Sequence, residues 1–217
     1  MEHHERSHPL LPALQSLEPL GLPSSSLPEW FAYANQRQAA RLARHVHTEF
    51  ATLLRAFAGS VDHAYLRSDA FQANVVQAVR AAEVAESEDK LQFIARALAG
   101  CVLSFPPPAP DKFQTMRVIE GLSDRELRVF VGLFDLLDPI DPFADSLPVS
   151  GTATVAGLSR QEFASALLGL AQQGFLSRAD VRRDERSEPE ATWTPTALAR
   201  QVAVLTRLGG NEWEGDL

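Results

Sequence analysis

Residues 157–178 read GLSRQEFASALLGLAQQGFLSR, and the way this stretch folds decides the architecture of the second half of the chain. Ser159 with Glu162 three residues later forms a capping box. The hydroxyl takes an unpaired N–H of the first helical turn while the carboxylate reaches back to the cap's own N–H. Phe163, Leu167 and Leu170 then recur at helical spacing, which gathers them on one face. Gly174 closes the helix, because glycine enters the left-handed conformation of a helix stop without a steric penalty. A Gly-Leu-Ser turn, a helix, a glycine stop and an apolar pair have the order of the second half of a helix-turn-helix.

The flanking sequence extends the pattern. In GLSDREL, Ser123 and Glu126 form another capping box, and Leu127, Phe130, Val131, Phe134 and Leu137 give an apolar stripe ended by Pro139. DPIDPFADSLPVSG reads as a loop, and Thr152–Ala156 as one or two helical turns. After Gly174, FLSRADV reads as a strand, RRDERSEPE as a polar turn and ATWT as a returning strand. Thr194-Pro195 is expected to open a last helix through Leu198, Val202 and Leu205, closed by Gly209-Gly210.

Helix, short helix, turn, helix, two-stranded ribbon, helix is the order of a winged helix-turn-helix domain. VAGLSRQEFASALLGLAQQGFLSR with WTPTALARQV resembles bacterial winged-helix regulators of the MarR type. Gly157, Leu158 and Ser159 match the turn before the recognition helix, and Leu170, Gly174, Phe175 and Leu176 match its exit. Thr194, Pro195 and Thr196 match the far end of the wing, with Ala197 where glycine is common. The resemblance covers about residues 122–209, less than half of the chain. It implies a fold more than a function, since winged helices also mediate protein contacts.

In that fold the face opposite Phe163, Leu167 and Leu170 enters the major groove. At about 100° per residue it holds Gln161, Ser165, Leu168 and Gln172, with Gly169 at its edge. Gln161 can pair with an adenine edge, Ser165 can touch a base or phosphate, and Arg160 can reach a phosphate. No Lys or Arg lies centrally, Glu162 lies near the path of the DNA backbone, and Leu168 is expected to be exposed. The wing offers Arg178, Arg182, Arg183 and Arg186, but Asp180, Asp184, Glu185, Glu188 and Glu190 outnumber them. Phosphate contacts supply most non-specific affinity, so such a module is expected to bind DNA weakly alone.

Residues 1–27, rich in Pro, Ser and His, read as a loosely ordered arm. Ser26 with Glu29 caps a long helix from Pro28 to about Ala58, striped by Leu42, Val46, Phe50, Leu53 and Phe57. Ser68-Asp69 and Ser87 start two more helices, carrying Phe71, Val75, Val76 and Val79, then Leu91, Ile94, Leu98 and Val102. SFPPPAP breaks any helix. The expected organisation is therefore an arm at 1–27, a helical domain at 28–105 and a linker with a bridging helix at 106–121. A winged-helix domain at 122–210 and a tail at 211–217 follow. The class is mainly α: an N-terminal helical bundle with a long first helix, then a C-terminal winged helix with a two-stranded β-wing.

The chain carries a net charge of −8, which argues against nucleic-acid binding by the surface as a whole. Only residues 28–61 are net basic, with Arg37, Arg41, Arg44 and Arg55 against Glu29 and Glu49. These arginines fall within about 60° of arc opposite the apolar stripe, with no acid on their own helix face. Such a stripe is a solvated helix face, or a contact for phosphates or an acidic partner.

Enzyme chemistry finds little support. Cys101, the single cysteine, rules out an internal disulfide and any cysteine-based zinc site, and reads as a small buried apolar residue. His3, His4 and His8 lie in the arm, His45 and His47 point apart on a helix, and His63 stands alone. Ser87 and Lys90 match Ser-x-x-Lys only formally, and Ser87 reads as an N-cap. Asp138, Asp141 and Asp145 lack the glycine and distal glutamate of a calcium loop. No apolar run nears the ~20 residues that cross a bilayer, and the N-terminus lacks the pattern of a secretory signal. A cytoplasmic protein without cofactor or metal is expected. Two readings of function stay open. One is a bacterial DNA-associated transcription regulator, homodimeric through its helical part, with double-stranded DNA as partner. The other is a scaffold that binds a protein partner through a winged helix that does not touch DNA.

Overall fold

The computed structural model describes residues 36–107, 109–136, 149–150, 155, 157–181 and 190–208, with the backbone alone at 36, 37, 135, 136, 149, 150, 180, 181 and 190. The Ser26–Glu29 cap, the three histidines of the arm, Asp138, Asp141, Asp145, Gly209-Gly210 and all of Thr152–Ala156 except Val155 lie outside them. The protein is mainly α-helical. It divides into two compact units, one reaching Glu120 and the second starting at Gly121.

In the first unit α1 (Gln36–Phe57) is followed by a 3-10 turn at Ala58–Ser60, the short α2 (His63–Leu66), α3 (Asp69–Glu83), α4 (Glu88–Gly100) and α5 (Lys112–Gly121). Each start has a local cause. Asp62 caps α2 by accepting from Tyr65 N at 2.9 Å, Ser68 caps α3 from Phe71 N at 3.3 Å, and Ser87 caps α4 from Lys90 N at 3.1 Å. Ser87 is thus a cap, as its position at a helix start suggested. α4 is the central helix, with α1 and α3 both packed against it. Leu91, Phe93, Ile94, Ala95, Ala97, Leu98 and Ala99 are all buried, so α4 is covered almost all round rather than on one stripe. Leu42, Val46, Phe50 and Leu53 of α1 are buried as the stripe predicts, while Phe57 is only half-buried. An isolated bridge from Val61 to Leu103 ties the two ends of this helical layer together. Its flanking bonds are Asp62 N to Val102 O and Ser104 N to Ser60 O, both 2.8 Å.

The second unit contains α6 (Asp124–Leu136), β1 (Val149–Ser150), α7 (Arg160–Gln172), β2 (Leu176–Val181), β3 (Glu190–Pro195) and α8 (Ala197–Thr206). β2 and β3 form the expected antiparallel hairpin, with Arg178 opposite Trp193. The sheet has three strands rather than two. β1 pairs antiparallel with β3, Val149 opposite Trp193, and the order is β1-β3-β2. A two-residue strand inside a proline-rich loop carries no alternation, so no strand signal is present there in the sequence.

The last helix also departs from expectation. Thr194 and Pro195 end β3, Pro195 standing opposite Leu176, and α8 begins at Ala197. A strand end tolerates a proline because no ladder N–H is needed there. Thr196 is the cap: its hydroxyl accepts from Ala199 N at 3.3 Å and donates to Gly174 O at 2.6 Å. At the far end Arg207, not a glycine, takes the left-handed stop (φ 54°). Its N–H bonds Val204 O, and the next N–H bonds Ala203 O at 3.0 Å.

α7 stops at Gly174 with the same bond pattern, Gly174 N to Ala171 O at 3.0 Å and Phe175 N to Leu170 O at 2.8 Å. Gly174 has φ 81°, and a Cβ there would meet only Leu198 Cδ2 at 3.8 Å, an ordinary contact. Gly174→Ala is therefore expected to cost about 1–2 kcal/mol from backbone strain alone. Urea unfolding should show a lower midpoint at an unchanged slope.

Candidate nucleic-acid interface

α7 is fixed to α6 at both ends. At its start Ser159 N donates to Glu162 Oε2 at 3.0 Å, the Ser159 hydroxyl donates to the same oxygen at 2.8 Å, and Glu162 N donates to Ser159 Oγ at 3.3 Å. The Ser159 N–H, then its hydroxyl, then the charges of Arg125 and Arg128 hold the Glu162 carboxyl below the usual range. Arg125 Nη2 of α6 lies 3.6 Å from Glu162 Oε1. The Glu162 charge is thus engaged by the cap and by α6.

At the other end one carboxylate oxygen, Oε2 of Glu126, accepts from Ser123 N and Ser123 Oγ at 2.8 Å each, and from Gln173 Nε2 at 3.2 Å. Gln173 also donates to Gly121 O at 3.2 Å. Glu126 fits because Gly169 has no side chain, and any Cβ there would collide with its carboxylate. Gly169 therefore faces α6 and does not belong to the outer face of α7 where helical counting placed it. The count fixes an angle but not the position of a neighbouring helix.

With Phe163, Ala166, Leu167 and Leu170 buried inward, the outer face of α7 holds Gln161, Ala164, Ser165, Leu168 and Gln172, all exposed. Arg160, in the first turn, is exposed beside them. Leu168 keeps 48% of its surface in water, one of three large apolar side chains so exposed among the described residues. The face is continuous and carries no charge. In the hairpin, the exposed Arg178 lies with its guanidinium carbon 5.7 Å from the ring of Trp193, a buried side chain. Arg182 and Arg183 lie outside the described residues.

The arginine stripe of α1 is less uniform than its sequence. Arg41 Nε donates to Glu88 Oε1 at 2.9 Å and its Nη1 to Gln38 Oε1 at 2.8 Å. His45 Nε2 shares Glu88 Oε2 at 2.7 Å. These partners hold Glu88 below the usual carboxylate range, His45 foremost and Arg41 next. An acid absent from the α1 face is thus supplied by the first turn of α4, and Arg41 does not stand as an open cation. Arg44 and Arg55 remain exposed, the latter donating from Nε to Ala51 O at 3.1 Å. Of Arg37 only the backbone, in the first turn of α1, is described.

A second polar cluster, with no local signal in the sequence, lies inside the first unit. Lys112 Nζ donates to Leu103 O at 2.8 Å, sits 3.8 Å from Asp62 Oδ2 and lies 4.0 Å from the centre of the Tyr65 ring. Asn74 donates to Tyr65 Oη and contacts Cys101 Sγ at 3.8 Å. Burial raises the Tyr65 phenol well above its usual value and pushes the Cys101 thiol up to about 12, so Cys101 is a thiol at neutral pH. Lys112 shifts the other way, lowered by burial. The contacts join residues of four separate segments, and no short motif announces them.

Among the described residues no three His, Cys, Asp or Glu side chains come together in a way that could hold a metal ion, and no helix is long and apolar enough to cross a membrane. The chain matches no family model, no curated protein and no solved structure.

Proposed function

We propose that the second unit is a winged helix that binds duplex DNA through α7, and that the protein is a DNA-associated regulator without enzymatic activity. The observation that carries this reading is the outer face of α7. Gln161, Ala164, Ser165, Leu168 and Gln172 meet solvent together, while the opposite face is buried and both ends are tied to α6. A helix held in this way is preorganised for a groove, with little side-chain or backbone ordering left for binding. The sheet order β1-β3-β2 and the run α6, β1, α7, hairpin, α8 support the winged-helix reading. Arg160 suits a phosphate contact. Leu42, Val46, Phe50 and Leu53 of α1 are buried within the chain, so pairing of two copies uses another surface of the first unit.

Fluorescence anisotropy with a labelled random duplex, at low and high salt, tests the reading. Binding at low salt that weakens steeply as salt rises is the expected result, with a further loss in Arg160→Glu. Failure to bind at low salt removes the proposal.

A second reading has one observation in its favour: Leu168 is largely exposed on an uncharged face, as a protein-contact residue would be. On that reading the winged helix docks a protein partner. Leu168→Asp would abolish the partner complex, and duplex would not bind at any salt concentration.

A further inference from the structure

We infer that α7 reads A·T base pairs, with Gln161 as the partner of an adenine and Leu168 as the contact for a thymine methyl group. The inference rests on the duplex-binding reading of α7. Each base offers a distinct edge in the major groove, and each edge selects a side-chain type. Guanine presents two acceptors and calls for the donors of Arg or Lys, and the one such residue of α7, Arg160, lies about 100° round the axis from Gln161. Cytosine presents an amino donor and calls for a carboxylate. The only carboxylate of α7, Glu162, is already engaged by Ser159 and Arg125. Adenine presents a donor beside an acceptor, which one amide group matches with two bonds, and Gln161 is such an amide. Thymine alone presents a methyl group, and an aliphatic side chain in the groove is its complement.

The spacing agrees with these roles. Gln161 and Leu168 are seven residues apart, so they lie within about 20° of each other around the axis. They are separated by about 10 Å along it, close to three base-pair steps. Ala164 and Ser165 stand between them, and both are small enough to let the helix approach the base edges. Gln172 lies beyond Leu168 at the last turn, where its amide can donate to the DNA backbone. The exposure of Leu168 then has a physical reason: it is the residue that loses its water on binding.

The test uses the full chain and a pool of duplexes randomised over a central segment, selected at low salt. The expected product is a site with two A·T pairs about three base-pair steps apart. Replacing each thymine of the selected duplex by uracil removes only the methyl groups. It is expected to weaken binding about four-fold per contacted methyl. Leu168→Ser should bind thymine and uracil duplexes alike, while circular dichroism shows its helices intact. A consensus rich in G·C, or equal affinity of the natural chain for thymine and uracil duplexes, overturns the inference and leaves duplex binding standing. A pool from which no duplex is retained overturns the duplex-binding reading itself.

Discussion

Phe130→Ala is expected to unfold, or nearly unfold, the second unit. Phe130 is fully buried, and its ring meets Phe134 at 5.1 Å and Phe175 at 5.2 Å between centres, both edge-to-face. These three rings join α6 to the residue that follows the α7 stop. Truncating a buried phenylalanine costs about 3–5 kcal/mol, because the transfer term is lost and the cavity does not fully close. A domain of this size has about 5–15 kcal/mol in all, so the loss takes a large share. Urea unfolding followed by circular dichroism should show the second unit melting far earlier, with the transition of the first unit in place. A cost below about 1 kcal/mol would mean that the aromatic trio is not the centre of the unit. Duplex binding, if α7 carries it, should vanish with the fold.

The second large effect is alkaline. The Cys101 thiol, ordinarily near 9.0, is pushed up to about 12 by burial, with Lys112 and Asn74 pulling weakly the other way. The folded state therefore holds a proton that the unfolded state gives up. The associated stability is complete below pH 9 and is lost as pH rises toward 12, about 4 kcal/mol in all. Tyr65, raised by burial from 10.0, adds a loss of the same sign above pH 10. Lys112, lowered from 10.5 by burial, works in the opposite direction, since its unfolded form holds the proton longer, and it offsets part of the fall. Urea titrations at intervals from pH 8 to 11 should show the unfolding free energy of the first unit level up to about pH 9 and falling from there on. Cys101→Ala should flatten that profile, whatever its cost at neutral pH. A natural chain with constant stability across this range would show that Cys101 is reached by water.

The features legible in the sequence were those whose causes lie within a few residues. Ser68, Ser87 and Ser159 cap their helices because each needs only the N–H three residues ahead. The inward face of α7 followed from Phe163, Leu167 and Leu170, and its outward face from the same count. What the sequence hid was settled by partners far along the chain. Arg41 looked like part of an open basic stripe, and Glu88, 47 residues away, closes it. Gly169 looked like the edge of a reading face, and Glu126 of α6 occupies that side. Thr194-Pro195 looked like a helix start because Pro commonly opens a helix, but pairing with β2 claimed it for a strand. β1 gave no signal, since two residues hold no period. For the candidate interface, residue identities were readable, and their freedom from other contacts was not.

The single oxygen Oε2 of Glu126 carries a consequence for motion. It closes the first turn of α6 through Ser123 and holds the last turn of α7 through Gln173. Drawing α7 outward therefore strains the same carboxylate that keeps α6 from fraying, and the two displacements become one coordinate. A ligand that needs α7 to shift must also loosen the start of α6, whereas a ligand that accepts α7 in place tightens it. Hydrogen exchange at Ser123 and Glu126, whose amides are held by this box, thus reports on what happens at Leu168, on the far side of the helix.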